Sequence, residues 1–317
     1  MMHSGQSAID YLATEVSKDD TSASSYWRKS HSAFRFTGDG FEGLQNLGGS
    51  EKPYRGLRLG LHRMFQLRFR RMGAEFPQFK AIDRLAEDLT TRQGRAYNVD
   101  VLRHSLTLAF LKNHVPNALT SQATVCVIGD GFALMTALLL ASDSASRVVL
   151  INLTKTLLVD LWYLKLWMEE EAFEFSVDLV TDEGGLERTL AKPTTNKAGG
   201  RVIAIQASDN ELLQRCPVDL ALNIASMQEM DPPVIAAYFN GMRAIASQRK
   251  LVFYCCNREE KTLPDGTVTR FAQYPWHEGD QILVDELCPW HQIYYVLRPP
   301  FFIRYDGPVQ HRLVILQ

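Results

Sequence analysis

Three stretches of this sequence carry side chains able to do chemistry. His291 follows Asp285, Glu286, Cys288 and Trp290. An imidazole oriented by a carboxylate can take a proton near neutral pH, and an indole beside it can stack on a ligand ring. Glu229, in Ser226-Met227-Gln228-Glu229-Met230, is a second candidate proton acceptor. The third stretch runs Thr124-Val125-Cys126-Val127-Ile128-Gly129-Asp130-Gly131-Phe132-Ala133-Leu134. Its β-branched run stops at a glycine turn and leads into an apolar helix, the strand–turn–helix that opens a doubly wound α/β domain. Backbone N–H groups at such a turn face a ligand above the carboxyl end of the strand. Asp285, Glu286, Cys288 and His291 match no compact metal motif, and a hard cation avoids a thiol, so no metal is expected.

The elements around these residues follow an α/β rhythm. Strands are expected at 124–128, 147–151, 201–206, 218–224 and 251–255, with a closing antiparallel pair at 293–297 and 312–316. Helices are expected from 152 or 154 to about 171 and over 231–247. Residues 173–200, with Asp182-Glu183-Gly184-Gly185 and the polar stretch 193–200, read as an insertion holding at most one short strand. Residues 1–117 read as an N-terminal helical region, loose at its start, with helices at 8–16, 79–90 and 98–111 over the mouth of the α/β core at 118–317.

Charge and composition remove several classes of function. The 317 residues carry a net charge of −2, which does not suit a nucleic-acid or anionic-membrane binder. Arg55, Arg58, Arg63, Arg68, Arg70 and Arg71 read first as the solvated face of an amphipathic helix, then as a pocket for an anionic sugar or a nucleotide-sugar phosphate, and last as a grip on nucleic acid. The longest apolar runs fall short of the ~20 residues of a membrane span. Five cysteines without CxxC spacing suit a reducing, cytoplasmic setting. Nucleic-acid and membrane partners are not expected, and a homodimer is the assembly to test.

Several segments are similar to one family, the sugar O-methyltransferases. They are Val218-Asp219-Leu220-Ala221-Leu222-Asn223-Ile224-Ala225-Ser226-Met227-Gln228-Glu229-Met230, Tyr238-Phe239, Asn257-Arg258, Tyr274-Pro275-Trp276, Tyr305-Asp306-Gly307 and His311-Arg312-Leu313. The resemblance covers about 118–317. It implies a Rossmann-like, mostly parallel seven-stranded sheet, S-adenosylmethionine as cofactor and a sugar hydroxyl as acceptor. On that reading Gly129, Asp130, Gly131, Asn152, Asp209, Asn223, Ile224 and Ser226 hold the cofactor. Asn257, Arg258, Tyr274, Trp276 and Trp290 hold the acceptor, and His291 or Glu229 takes its proton.

Two positions depart from the wider methyltransferase pattern. Val127 stands where an acid is usual, and Asp130 is the nearest substitute partner for the methionine ammonium. Asn152 stands where a carboxylate usually accepts both ribose hydroxyls; its amide accepts one bond and donates another, or caps the helix that follows. Two competing readings remain open. The glycine turn suits an NAD(P)-dependent oxidoreductase, although Ala133 and Asn152 break that fingerprint. Val127 and Asn152 together suit a cofactor-binding scaffold without activity.

Overall fold

A computed structural model describes residues 1–18, 20–44, 51–194 and 200–317. Nine strands form the main sheet: β1 Met2–Ser4, β2 Thr124–Ile128, β3 Arg147–Asn152, β4 Val177–Val180, β5 Arg201–Gln206, β6 Leu220–Ile224, β7 Leu251–Arg258, β8 Gln281–Leu287 and β9 Val309–Leu316. Their order is β1-β4-β5-β3-β2-β6-β7-β9-β8. Strands β4, β5, β3, β2, β6 and β7 pair in parallel. Strand β9 runs antiparallel to β7 and β8, and β1 antiparallel to β4.

Without β1 and β4, the order is β5-β3-β2-β6-β7-β9-β8 with β9 alone reversed. This is the Rossmann-like sheet of methyltransferases, extended here to nine strands. The chain leaves β2 toward β3 and later returns to its other side at β6, so the switch point lies above the carboxyl ends of β2 and β6.

Helices cover both faces: α1 Gln6–Glu15, α2 Ser25–Ser30, α3 Gly56–Met72, α4 Phe79–Arg92, α5 Val99–His114, α6 Leu134–Ala141, α7 Thr154–Trp167, α8 Glu170–Ser176, α9 Glu183–Ala191 and α10 Pro232–Ala246. Burial on both faces explains the unbroken apolar runs. Along β2, Val125 and Val127 enter the core shared with α4, α5 and α6, while Cys126 and Ile128 enter the core under α10. Each such side chain contributes about 1.5–3 kcal/mol on burial. Residues of 1–117 share the first core, where Ile9, Phe69 and Leu106 are fully buried.

Several expectations need correction. The start of the chain is not loose: β1 pairs with β4. The strand partnering β9 is β8, not 293–297; Ile293–Tyr295 instead pairs with Phe302–Arg304 in a separate ribbon. Strand β8 lies at the sheet edge and is mostly exposed, so it lacks the buried run that marks the others. The expected helix to 171 breaks at Met168, whose backbone is extended, and α8 follows. The stretch 193–200 lies partly outside the described residues. Arg63 pairs with Glu87, Arg70 with Asp83, and Arg58 and Arg68 stack on Tyr54 and Phe302. The face of α3 left to solvent therefore also carries Leu57, Met64 and Leu67. Among the described residues, no helix is long and apolar enough to cross a membrane.

Candidate functional site

At the switch point lies a cavity of about 290 Å³. Its floor is the turn after β2. Gly129 and Gly131 have φ of 72° and 75°, and Phe132 and Ala133 follow at 58° and 46°. Left-handed backbone is cheap for glycine and strained for the other two. At Gly129 a Cβ would collide with Ser226 Oγ, because the loop after β6 crosses directly over it.

Two carboxylates hold the strained turn. Asp130 accepts from the N–H groups of Met135 and Thr136, at 2.8 and 2.7 Å. Asp160, buried on α7, accepts from Ala133 N–H at 2.8 Å and from Asn152 Nδ2 at 2.8 Å. The sequence reading offered these helix-terminal N–H groups to a ligand; the protein spends them on its own acids. Burial raises the pKa of Asp130, with the His104 charge pulling it back down. Burial, then the neighbouring Asp130, raises that of Asp160. Above the turn, Arg95 lies 4.4 Å from the Phe132 ring centroid and donates to Gln93 Oε1. Its burial lowers the guanidinium pKa to about 10, so it is still cationic at neutral pH.

Gly129, Asp130, Gly131, Asn152, Ile224, Ser226, Glu229, Arg258 and His291 all border this cavity. Asn152 does not cap α7; its Oδ1 accepts from Leu153 N–H and its Nδ2 is committed to Asp160. The first N–H of α7, from Thr154, goes to Asp20 instead.

The other residues expected at the site lie away from the cavity. Asn223 is buried, donating to Ile128 O at 2.9 Å and accepting from Met227 N–H and Asn257 Nδ2. Asn257 accepts from Gln228 N–H, so the two amides brace the loop after β6. Asp209 stands in the turn after β5, outside both cavities at the switch point. Tyr274 and Trp276 pack against Phe239 in the α10 core, and Trp276 Nε1 donates to Phe271 O. Trp290 packs near Phe110, donates to Thr107 Oγ1 and is 2% exposed, which leaves no ring face for a ligand.

The two candidate proton acceptors differ in setting. Glu229 is 9% exposed, and its Oε1 accepts from Lys261 Nζ at 2.6 Å. Burial raises its pKa, and the Lys261 charge moderates the rise. His291 is not oriented by the acids near it in sequence. Asp285 is taken by Arg312 and Gln310, and Glu286 faces His311. Burial, then the Arg103 charge, drives the His291 pKa well below its ordinary value. The pairing of His291 with Asp285 or Glu286 expected from the sequence does not form.

Sequence reasoning missed several cavity residues. Tyr26 and Trp27 come from α2, His104 from α5 and Lys261 from the segment after β7. His104 Nδ1 lies 2.8 Å from Asp100 O, which can only accept, so the neutral ring keeps its lone pair on Nε2. Beside the main cavity is a slot of about 20 Å³ between Leu153, Ala207, Met230 and Val234, covered by Ser22, Ser24 and Trp27. It has room for about one water.

No protein-family model matches this chain, and no curated protein matches it. Solved structures do match. A SAM-dependent methyltransferase of Leishmania major is 10% identical, covers 67% of this chain and 72% of its own, and has a TM-score of 0.34. The methyltransferase domain of bacterial CtHen1 is 14% identical over 69% of this chain and 100% of its own, at 0.34. The mitomycin 7-O-methyltransferase is 14% identical over 68% of this chain, at 0.34, and this chain spans 57% of its length. The fold class rests on the strand order itself, a Rossmann-like methyltransferase sheet with its ninth strand reversed.

Proposed function

We propose that this protein transfers a methyl group from S-adenosylmethionine to a hydroxyl oxygen, with a sugar as acceptor. The observation that carries the reading is the state of the glycine turn. In a dinucleotide enzyme the helix N–H groups after the first strand receive a pyrophosphate. Here Asp130 and Asp160 already accept from the N–H groups of Ala133, Met135 and Thr136. These two acid groups occupy the N–H groups a pyrophosphate would need, and their oxygens suit a cationic ligand, whose approach would favour their ionised forms. S-adenosylmethionine has cationic groups, the ammonium and the sulfonium, while Arg95 beside the turn suits its carboxylate.

Bound there, the cofactor supplies an electrophilic methyl group. The protein's part is to align the acceptor oxygen and remove its proton. Glu229, which borders both the cavity and the slot, is the residue we assign to that step. The lining is compatible with a sugar acceptor: Arg258, Gln228 and Asp100 offer planar hydrogen-bonding groups beside Tyr26 and Tyr305, whose rings pack against Lys261 and against Arg103 and Arg258.

Calorimetry with S-adenosylmethionine, its demethylated product and NAD tests the cofactor. The first two should bind and NAD should not. NAD binding without S-adenosylmethionine binding would restore the oxidoreductase reading. Cofactor binding without methyl transfer to any of a panel of free and nucleotide-linked sugars would favour a scaffold or another acceptor.

A further inference from the structure

One buried cluster takes no part in the reaction proposed above. Cys256 lies on β7, Cys288 just after β8, and His291 in the turn Pro289–His291. Their donor atoms all lie within 4.8 Å of one another, and all three residues are buried. Among the described residues, His291 Nε2 is closed off from solvent and has no hydrogen-bond partner. A polar atom in that position needs a partner.

We propose that Cys256, Cys288 and His291 form a zinc site at the edge of the cavity. Two thiols and an imidazole are the donors zinc prefers, and they discriminate against magnesium and calcium. Tetrahedral zinc, at about 2.3 Å from sulfur and 2.0–2.1 Å from nitrogen, places its ligands about 3.5–3.8 Å apart. The three donor atoms, within 4.8 Å of one another, would have to draw together by about an ångström to reach that spacing.

Binding replaces the two thiol protons, which leave to solvent, and the two thiolates cancel the metal charge. A neutral site is compatible with Arg103, whose guanidinium is fixed nearby on Trp290 O and Ile293 O. The other buried histidine of this region, His311, is turned elsewhere: Nδ1 is 3.1 Å from Tyr254 Oη and Nε2 is 3.5 Å from Glu286. A water completes the tetrahedron. His291 borders the cavity, so the metal ties the turn that forms that wall to β7.

The test uses the full chain purified without chelator. Elemental analysis should find about one zinc per chain. Exchange into Co²⁺ should give a thiolate-to-cobalt charge-transfer band and the intense d–d bands of a tetrahedral site. Cys256→Ser and Cys288→Ser should abolish the charge-transfer band or reduce it. Each should weaken Zn²⁺ binding by more than the roughly 10–100-fold that outer partners contribute. Cys216→Ser, a buried cysteine elsewhere, should leave both unchanged. If the variants fail to fold, the wild-type cobalt spectrum decides alone. A folded protein that takes up neither Zn²⁺ nor Co²⁺ overturns the site. So does a Cys256–Cys288 disulfide, seen as a loss of two hydrogens in the intact mass.

Discussion

Glu229→Gln separates a proton acceptor from a structural acid. Glutamine has the same shape and keeps an oxygen for Lys261 Nζ, which lies 2.6 Å from Glu229 Oε1. The loop after β6 should therefore hold its position. A positioned base contributes about 10²–10⁴-fold, which at ~1.36 kcal/mol per decade is about 2.7–5.4 kcal/mol of barrier. Burial raises the Glu229 pKa above the ordinary carboxylate value, so the acid stays protonated, and unable to accept, to a higher pH than a free carboxylate. The rate at saturating substrates should therefore fall as the pH drops through that raised value and level off above it. In Glu229→Gln the residual rate should show no such limb. Labelled-methyl transfer across the pH range measures the rate, and calorimetry should find cofactor affinity changed less than about threefold, under ~0.7 kcal/mol. Near-normal turnover with the acid limb intact would refute the assignment. His104 would then be the next base to test, since its Nε2 carries the lone pair.

Three further outcomes follow from the site. Gly129→Val puts a side chain against Ser226 Oγ at a φ of 72°, and should abolish cofactor binding in calorimetry while the circular dichroism stays native; unchanged affinity would remove the turn from the site. Asp130→Asn weakens the bonds to Met135 and Thr136 N–H, and should cost about 0.5–2 kcal/mol of stability in urea and about 1–3 kcal/mol of cofactor binding; loss of stability alone would limit Asp130 to capping. Trp27→Ala removes a side chain that lines both the main cavity and the slot beside it, and should speed association of the demethylated cofactor in stopped flow; an unchanged rate would mean that cofactor entry does not pass this side chain.

The sequence made the buried strands legible because burial on both faces leaves an apolar run that solvent-facing segments lack. Strand β8 escaped because it faces solvent at the sheet edge, and β1 because three residues at a chain start leave no pattern. The glycine turn was legible from its residue types, but its hydrogen-bond state was not. Asp160 lies on α7, well after the turn in sequence, and no spacing rule links an acid on a helix to an N–H on the preceding loop. Polar residues at strand ends were ambiguous for a related reason. Asn223 and Asn257 have the composition of ligand contacts, yet they bond to each other and to the loop backbone, because a sharp turn over a buried strand end leaves N–H and C=O groups that need partners. Trp290 read as a stacking surface because its neighbours in sequence are polar, whereas its neighbours in space are Phe110 and Thr107.

Asp160 also bears on whether the departures at Val127 and Asn152 signal lost activity. Val127 points into the core under α5 and α6, where an acid would be buried without a partner. An acid at the end of β3 would stand in the place of the amide that donates to Asp160, and two buried carboxylates in contact cannot both ionise. With Asp160 on α7, an amide at 152 and an apolar residue at 127 are the side chains that avoid charge repulsion and unpaired burial. The acid groups near the turn are thus relocated rather than lost, supplied by Asp130 and Asp160 instead of by strand-end acids. The strained turn at Phe132 and Ala133 is held by two buried acid groups whose ionised forms burial disfavours. A cationic ligand against the turn would favour those ionised forms, which supports the methyl-transfer reading proposed above over the inactive one.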